Sequence, residues 1–115
     1  MNERGIAAEQ KAAEYLQRQG LRLIARNWRC RQGEIDLIAR DGDTLVFVEV
    51  RLRSRHDFGG AAGSVTARKQ QRMVAASLAY LARLGQEPAC RFDAILLDRL
   101  DPVAIVWERD IIARD

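Results

Sequence analysis

Apolar residues recur at helical spacing along the first twenty positions of the chain. One side of a helical wheel drawn over residues 3–19 collects small and apolar side chains, namely Gly5, Ala8, Ala12, Tyr15 and Leu16. Gly20 follows, and glycine commonly ends helices because it adopts the left-handed backbone conformation without strain. The pattern therefore predicts an N-terminal helix.

The next thirty residues change to the period of two that is typical of strands. Residues 21–29 are predicted to form a first strand, and residues 34–40, which alternate polar and apolar side chains, a second. Asp41-Gly42-Asp43 is a hairpin turn signal, and residues 44–53, rich in Val, Phe and Leu, are predicted to form a third strand.

A polar, glycine-rich segment over residues 54–63 is predicted to be a loop. Ser64 or Thr66 can cap a second helix, which extends to about Leu84 and ends at Gly85. Two further strands are predicted downstream, over residues 92–97 and 103–107. The order αβββαββ predicts an α/β fold in which helices flank a mixed β-sheet.

Length and composition narrow the class of protein. A chain of 115 residues fits one domain over residues 1–115, and 48% apolar residues suffice for one core. No apolar run approaches the roughly 20 residues that cross a bilayer, and the first residues lack a secretory signal. We therefore expect a cytoplasmic protein without a membrane partner.

Charge and composition hint at a polyanionic partner without requiring one. The net charge is +3 and the isoelectric point is about 9.3. All basic residues except Lys11 and Lys69 are Arg, which suits bidentate phosphate recognition, although a high genomic GC content would enrich Arg equally. Cys30 and Cys90 form no zinc-binding pattern, so we expect two free thiols in or near the core.

Carboxylates concentrate on the second and third predicted strands. Because side chains two positions apart share a face of a strand, one face of the second strand is predicted to carry Glu34, Asp36, Ile38 and Arg40. One face of the third is predicted to carry Leu45, Phe47, Glu49, Arg51 and Arg53. The opposite face of the third strand is apolar, with Val46, Val48, Val50 and Leu52.

Two hairpin registers are compatible with the turn. If Gly42-Asp43 is the loop, Asp36 lies opposite Glu49. If Asp41-Gly42 is the loop, Glu34 lies opposite Glu49 and Asp36 lies on the diagonal. Both registers keep the carboxylates on one face, because a slip of two residues preserves the alternation.

Opposed carboxylates in a partly covered sheet favour a cation. Like charges directly across a sheet are destabilising, and Leu45 and Phe47 share the face of Glu49. Asp and Glu oxygens favour Mg²⁺ or Mn²⁺, which can polarise a phosphate and generate hydroxide from water. The alternative is a polar strand face that is simply solvated.

Groups near this pair extend the hypothesis. Glu9 lies at the edge of the apolar face of the first helix, where it either reaches the metal or turns to water. Arg51, Arg53 and Arg55 alternate along the third strand and beyond it. They would hold a phosphodiester beside a metal, or alternatively protect an edge strand from aggregation.

Two segments resemble the PD-(D/E)XK nuclease core, with GEIDLIA at residues 33–39 and VFVEVR at residues 46–51. More closely, the chain resembles the YraN family of bacterial proteins, considered distantly related to archaeal Holliday-junction resolvases. The resemblance covers nearly the whole chain and includes residues 5–9, 27–29, 59–62, 64–66, 69–70 and 90–93.

The resemblance implies a restriction-endonuclease-like core and a Mg²⁺- or Mn²⁺-dependent endonuclease acting on branched or structured DNA, with no organic cofactor. Asp36 and Glu49 would be metal ligands together with the Val50 carbonyl. Glu9 would correspond to the helix carboxylate of resolvase-like nucleases, and Glu34 would act in the outer shell.

The sequence departs from the wider superfamily at Arg51, where a Lys is usual. Arginine stays protonated and cannot act as a general base, but it can stabilise the charge of the transition state. Lys69 either supplies an ammonium group or is a solvated residue in the first turn of the second helix. Together with Arg53 and Arg55, it is a candidate for nucleic-acid binding.

Three hypotheses follow from the sequence. The first is a metal-dependent deoxyribonuclease, and a resolvase acting on two strands would form a C₂ homodimer. The second is a nucleic-acid-binding module that has lost useful turnover, which the presence of Arg51 favours. The third is a protein-interaction domain with a nuclease-like fold.

Overall fold

The computed structural model describes residues 3–52, 66–100 and 103–112. Its elements are, in order, α1 (Glu3–Arg18), β1 (Arg22–Cys30), β2 (Gly33–Asp41), β3 (Thr44–Leu52), α2 (Ala67–Leu84), β4 (Cys90–Leu100) and β5 (Val103–Glu108). The predicted order αβββαββ is confirmed. The fourth strand is longer than predicted, and the predicted loop over residues 54–63 lies outside the described residues.

The five strands form one mixed sheet in the order β1-β2-β3-β4-β5. Among these described strands β3 and β4 pair in parallel, while the other neighbours are antiparallel. A parallel pair needs a long crossover connection, and α2 lies within it. This crossover brings α2 back across the sheet, where it packs mainly on β2.

The two helices cover opposite faces of the sheet. Beneath α1 lies a cluster that includes Val46 and Val48, with Val50 and Leu52 packed at its margin. The α2 side carries a second cluster that includes Phe47. The predicted apolar face of β3 is therefore confirmed, and the opposite face of β3 is covered as well.

The β2–β3 hairpin adopts the first of the two predicted registers. Asp41 pairs with Thr44, and Gly42 in the turn has a φ of 61°, a left-handed conformation that glycine tolerates. The regular ladder extends from there to Leu37 and Val48. Asp36 and Glu49 are the next residues along the two strands, so they lie just beyond the end of the ladder.

The predicted alternation along β2 is wrong at Asp36. Ile35 and Ile38 belong to the same buried cluster on the α2 side, whereas Leu37 packs beneath α1. In an uninterrupted strand Ile35 and Leu37 would share a face. The break coincides with Asn27 of β1, which has a φ of 50° and follows Arg26, the residue paired with Leu37. A left-handed residue distorts a ladder locally and redirects the neighbouring side chains.

The first turn of α2 is fixed by its cap. Thr66 precedes the helix in an extended conformation, and its hydroxyl oxygen accepts a hydrogen bond of 3.2 Å from the backbone N–H of Lys69. At the other end the N–H of Gly85 donates to the Leu81 carbonyl oxygen, with a φ of 71° at the glycine. Thr66 is therefore the cap; Ser64 lies outside the described residues.

A fully buried carboxylate joins β4 to the C-terminal segment. Asp93 accepts hydrogen bonds from Arg91 Nε, Trp107 Nε1 and the backbone N–H of Asp110, at 2.9 to 3.2 Å. Because its partners satisfy it, this carboxylate is structural. The two cysteines are free and partly buried, as expected. Within the described residues, neither helix is long and apolar enough to span a membrane.

Candidate active site

Asp36 links β2 to β3 where their ladder ends. The backbone N–H of Val50 donates a hydrogen bond of 2.8 Å to Asp36 Oδ2. Beyond the end of the ladder, the side chain of Asp36 therefore provides the hydrogen bond that joins the two strands. This contact fixes the carboxylate beside Glu49, which immediately precedes Val50 in β3.

Glu49 is buried, with 6% of its surface exposed, and it forms an ion pair with Lys69. The distance from Lys69 Nζ to Glu49 Oε1 is 2.8 Å. Lys69 lies in the first turn of α2, and 42% of its side chain remains exposed. The alternative that Lys69 is merely solvated is therefore wrong, because its ammonium group is paired with the buried Glu49.

Glu9 brings a third carboxylate to the site from α1. Only 8% of its surface is exposed, and Glu9 Oε1 is buried with no hydrogen-bond partner among the described residues. The pKa of Glu9 is raised by burial and then by the negative charge of Glu34, while the charge of Arg29 opposes the rise. The alternative in which Glu9 turns to water is excluded by this burial.

The electrostatics of Asp36 reflect crowded negative charge. The pKa of Asp36 is raised from 3.8 to about 8, chiefly by burial and next by the negative charge of Glu49. The N–H of Val50 acts in the opposite direction, while the charge of Glu9 and a hydrogen bond with the Glu49 carboxyl raise the pKa further. A cation beside these groups would relieve the repulsion.

The donors of the site fit a hard divalent cation. Asp36 and Glu49 offer carboxylate oxygens, the ligands that Mg²⁺ and Mn²⁺ prefer, and Glu9 adds a buried oxygen without a partner among the described residues. Across residues 3–52, 66–100 and 103–112, however, no three acidic, His or Cys side chains converge closely enough to hold a metal. For Val50, the proposed carbonyl ligand, the structure places the N–H on Asp36.

A small cavity of about 40 Å³ opens beside Glu49. It exceeds the roughly 10–15 Å³ that a cavity needs to hold one water molecule. Its lining consists of Glu34, Glu49, Lys69, Arg72 and Met73. Glu34, predicted as an outer-shell group, lies at this cavity and pairs with Arg29 at 3.3 Å. Arg72 was not predicted from the sequence, although its position three residues after Lys69 places it on the same side of a helix.

The remaining predicted site residues are basic. Arg51 follows Glu49 by two positions in β3, and its Nε is buried without a hydrogen-bond partner among the described residues. Arg53 and Arg55 lie outside the part of the chain that the structure describes. The site as described therefore combines three interacting carboxylates with Lys69, and Arg51 is close by in sequence.

Comparison with known proteins identifies the family. The profile of the uncharacterised protein family UPF0102 matches residues 8–97. A UPF0102 protein of Methylobacillus flagellatus is 52% identical over 110 residues, covering 96% of each chain. UPF0102 proteins of Herminiimonas arsenicoxydans and Psychromonas ingrahamii are 56% and 54% identical, over 82% and 84% of this chain and 76% and 80% of their own.

The family match encloses the whole acidic site, from Glu9 on α1 to Lys69 on α2. It also covers β1 to β3 completely and β4 as far as Leu97. With a profile match over most of its length and relatives more than half identical, the chain belongs to the uncharacterised protein family UPF0102, also called the YraN family.

Proposed function

We propose that the protein is a metal-dependent endonuclease that hydrolyses phosphodiester bonds in branched or otherwise structured DNA. The observation that carries the proposal is the ion pair of 2.8 Å between Lys69 and the buried Glu49, beside Asp36. PD-(D/E)XK nucleases use two carboxylates with an adjacent ammonium group for catalysis. Here the ammonium comes from α2, while Arg51 occupies the usual lysine position on the strand.

The carboxylates would hold the cofactor. Asp36 and Glu49 are the proposed ligands of Mg²⁺ or Mn²⁺, together with the Val50 carbonyl, and Glu9 would contribute directly or through a water molecule. When bound, the cation supplies Lewis acidity and lowers the pKa of a water molecule. Asp36 would bind the cation as a carboxylate, because metal ligands must be deprotonated.

The basic side chains would stabilise the negative charge of the reacting phosphate. Lys69 Nζ donates to Glu49 beside a cavity with room for a water molecule, which this ammonium group would orient for attack on phosphorus. Arg51 would stabilise the additional negative charge of the transition state.

A second candidate function is nucleic-acid binding without useful turnover. It is favoured by the ion pair itself, since Lys69 already neutralises Glu49 without a metal. The lack of a three-ligand cluster in the described ranges supports it as well. A third function, protein interaction through the same fold, predicts neither metal nor DNA binding.

Binding and cleavage of a four-way junction and a linear duplex at low salt separate these functions. Wild type is compared with Asp36→Ala, with or without Mg²⁺ or Mn²⁺. Asp43→Ala is the matched control, because Asp43 is an exposed carboxylate in the hairpin turn. Metal-dependent cleavage that only Asp36→Ala loses supports the nuclease. Binding without cleavage by wild type leaves the second function, and neither binding nor cleavage leaves the third.

A further inference from the structure

A second cationic side chain of α2 lies at the cavity beside Glu49. Arg72 lines this cavity together with Glu34 and Lys69. Because residues three apart on a helix lie on the same side, Lys69 and Arg72 present their charges together. The outer part of the site is therefore cationic, although its interior is acidic.

The carboxylates near Arg72 do not neutralise its charge in an ion pair. Glu49 is paired with Lys69, and Glu34 is paired with Arg29. Within the described ranges Arg72 forms no ion pair, and the residue is exposed to solvent. A guanidinium group that lies beside two carboxylates and pairs with neither is available to an anion from outside.

The backbone of Arg72 is held in place by a close approach to the sheet. Gly33 opens β2 directly beneath it, and a Cβ atom added at Gly33 would lie 2.8 Å from the Arg72 carbonyl oxygen. Only glycine permits α2 to lie this close to β2. The packing therefore sets where the Arg72 side chain leaves the helix, which limits the volume that its guanidinium can reach.

We propose that Arg72 binds the non-bridging phosphate oxygens of the nucleic-acid strand engaged at this site. A guanidinium can donate two parallel hydrogen bonds to one phosphate, which gives orientation as well as charge. The inference rests on the proposed function, since it assigns the site a phosphodiester ligand. It deepens that function by naming a substrate-binding residue that holds the strand while Lys69 and Glu49 act on it.

The test is the salt dependence of binding to a four-way junction and a linear duplex, measured with Ca²⁺ in place of Mg²⁺. The variants are Arg72→Ala, Arg72→Lys and the charge-matched control Arg22→Ala. Arg22 is exposed. Its backbone lies opposite that of Arg40 in the β1–β2 ladder, at the end far from Gly33. Thermal unfolding of each variant shows whether its fold is retained.

We expect Arg72→Ala to weaken binding roughly tenfold and to reduce the slope of log K against log salt by about 0.9, the value of one phosphate contact. Arg72→Lys should keep the slope and lose part of the affinity, because it keeps the charge but not the bidentate geometry. If Arg72→Ala behaves like Arg22→Ala while wild type binds DNA, the inference is wrong. If wild type binds neither DNA, the proposed function itself fails.

Discussion

Lys69 Nζ lies 2.8 Å from Glu49 Oε1, although the two residues are twenty positions apart and belong to different layers of the fold. The contact exists because β3 and β4 are parallel, which requires a crossover that returns α2 to the sheet. The ammonium group therefore reaches the acidic site from α2 and not from the β3 position that Arg51 occupies.

The first prediction concerns this ammonium group. Lys69→Met should reduce metal-dependent cleavage by about 10² to 10³, the usual cost of one charge-stabilising donor. It should leave DNA binding within a fewfold of wild type. Lys11→Met is the matched control, because Lys11 is the other lysine of the chain and is exposed on α1. Equal losses of cleavage in both variants would contradict the role of Lys69.

The second prediction concerns the metal-free protein and follows from the raised pKa of Asp36. A carboxyl whose pKa rises from 3.8 to about 8 on folding stabilises the native state below pH 4, and this contribution is lost as the pH rises toward 8. Asp36→Asn removes the titrating group and leaves an amide oxygen that can accept the N–H of Val50.

The measurement is the free energy of unfolding by urea without divalent cations, at pH 5 and pH 9. Relative to wild type, we expect the Asp36→Asn variant to gain at least about 2 kcal/mol of stability between pH 5 and pH 9, since one pKa unit corresponds to about 1.4 kcal/mol. A difference between the two proteins that does not change with pH would show that Asp36 is ionised in the folded state.

The third prediction concerns metal binding. Mn²⁺ should raise the melting temperature of wild type, and the rise should grow between pH 6 and pH 8.5 because the ligands must be deprotonated. At a hundredfold excess over its dissociation constant, a ligand stabilises by about 2.7 kcal/mol. Asp36→Ala should lose this rise, and Asp43→Ala should keep it. Stabilisation of all three proteins alike would place the ion elsewhere.

The fourth prediction concerns Asn27, which has a φ of 50°. It lies on β1 beside the break in the alternation of β2. Asn27→Gly should be tolerated, because glycine adopts this conformation freely. Asn27→Val should cost about 1 to 3 kcal/mol, because a β-branched residue is strained at positive φ. Urea unfolding measures the cost. Equal stability of the Gly and Val variants would mean that β1 relaxes to a regular strand at no cost.

Much of the fold was predictable from local patterns. The helices and strands follow from the hydrophobic period, and Thr66 and Gly85 bound α2 as capping chemistry requires. The hairpin turn limited the register to two choices, both of which kept Asp36 near Glu49. These features depend on neighbouring residues and on backbone geometry, so a sequence contains them almost completely.

The alternation rule failed at one place in the site. It assumed a regular strand through Asp36, whereas Ile35 and Ile38 face the same side. Asn27 carries the only local signal, since Asn tolerates a left-handed backbone better than most residues. That signal could be interpreted only after the neighbours of Asn27 were known to pair with Leu37 and Ile35, which is a relationship between two strands.

By itself the sequence determined the order of the elements, the apolar face of β3 and the two central carboxylates. The tertiary structure alone decided that Lys69 pairs with Glu49, that Glu9 is buried, and that Arg72 shares a cavity with Lys69 and Glu49. Periodicity reports which way a side chain points from its own backbone. What that side chain meets depends on how separate layers pack, and residues distant along the chain set that packing.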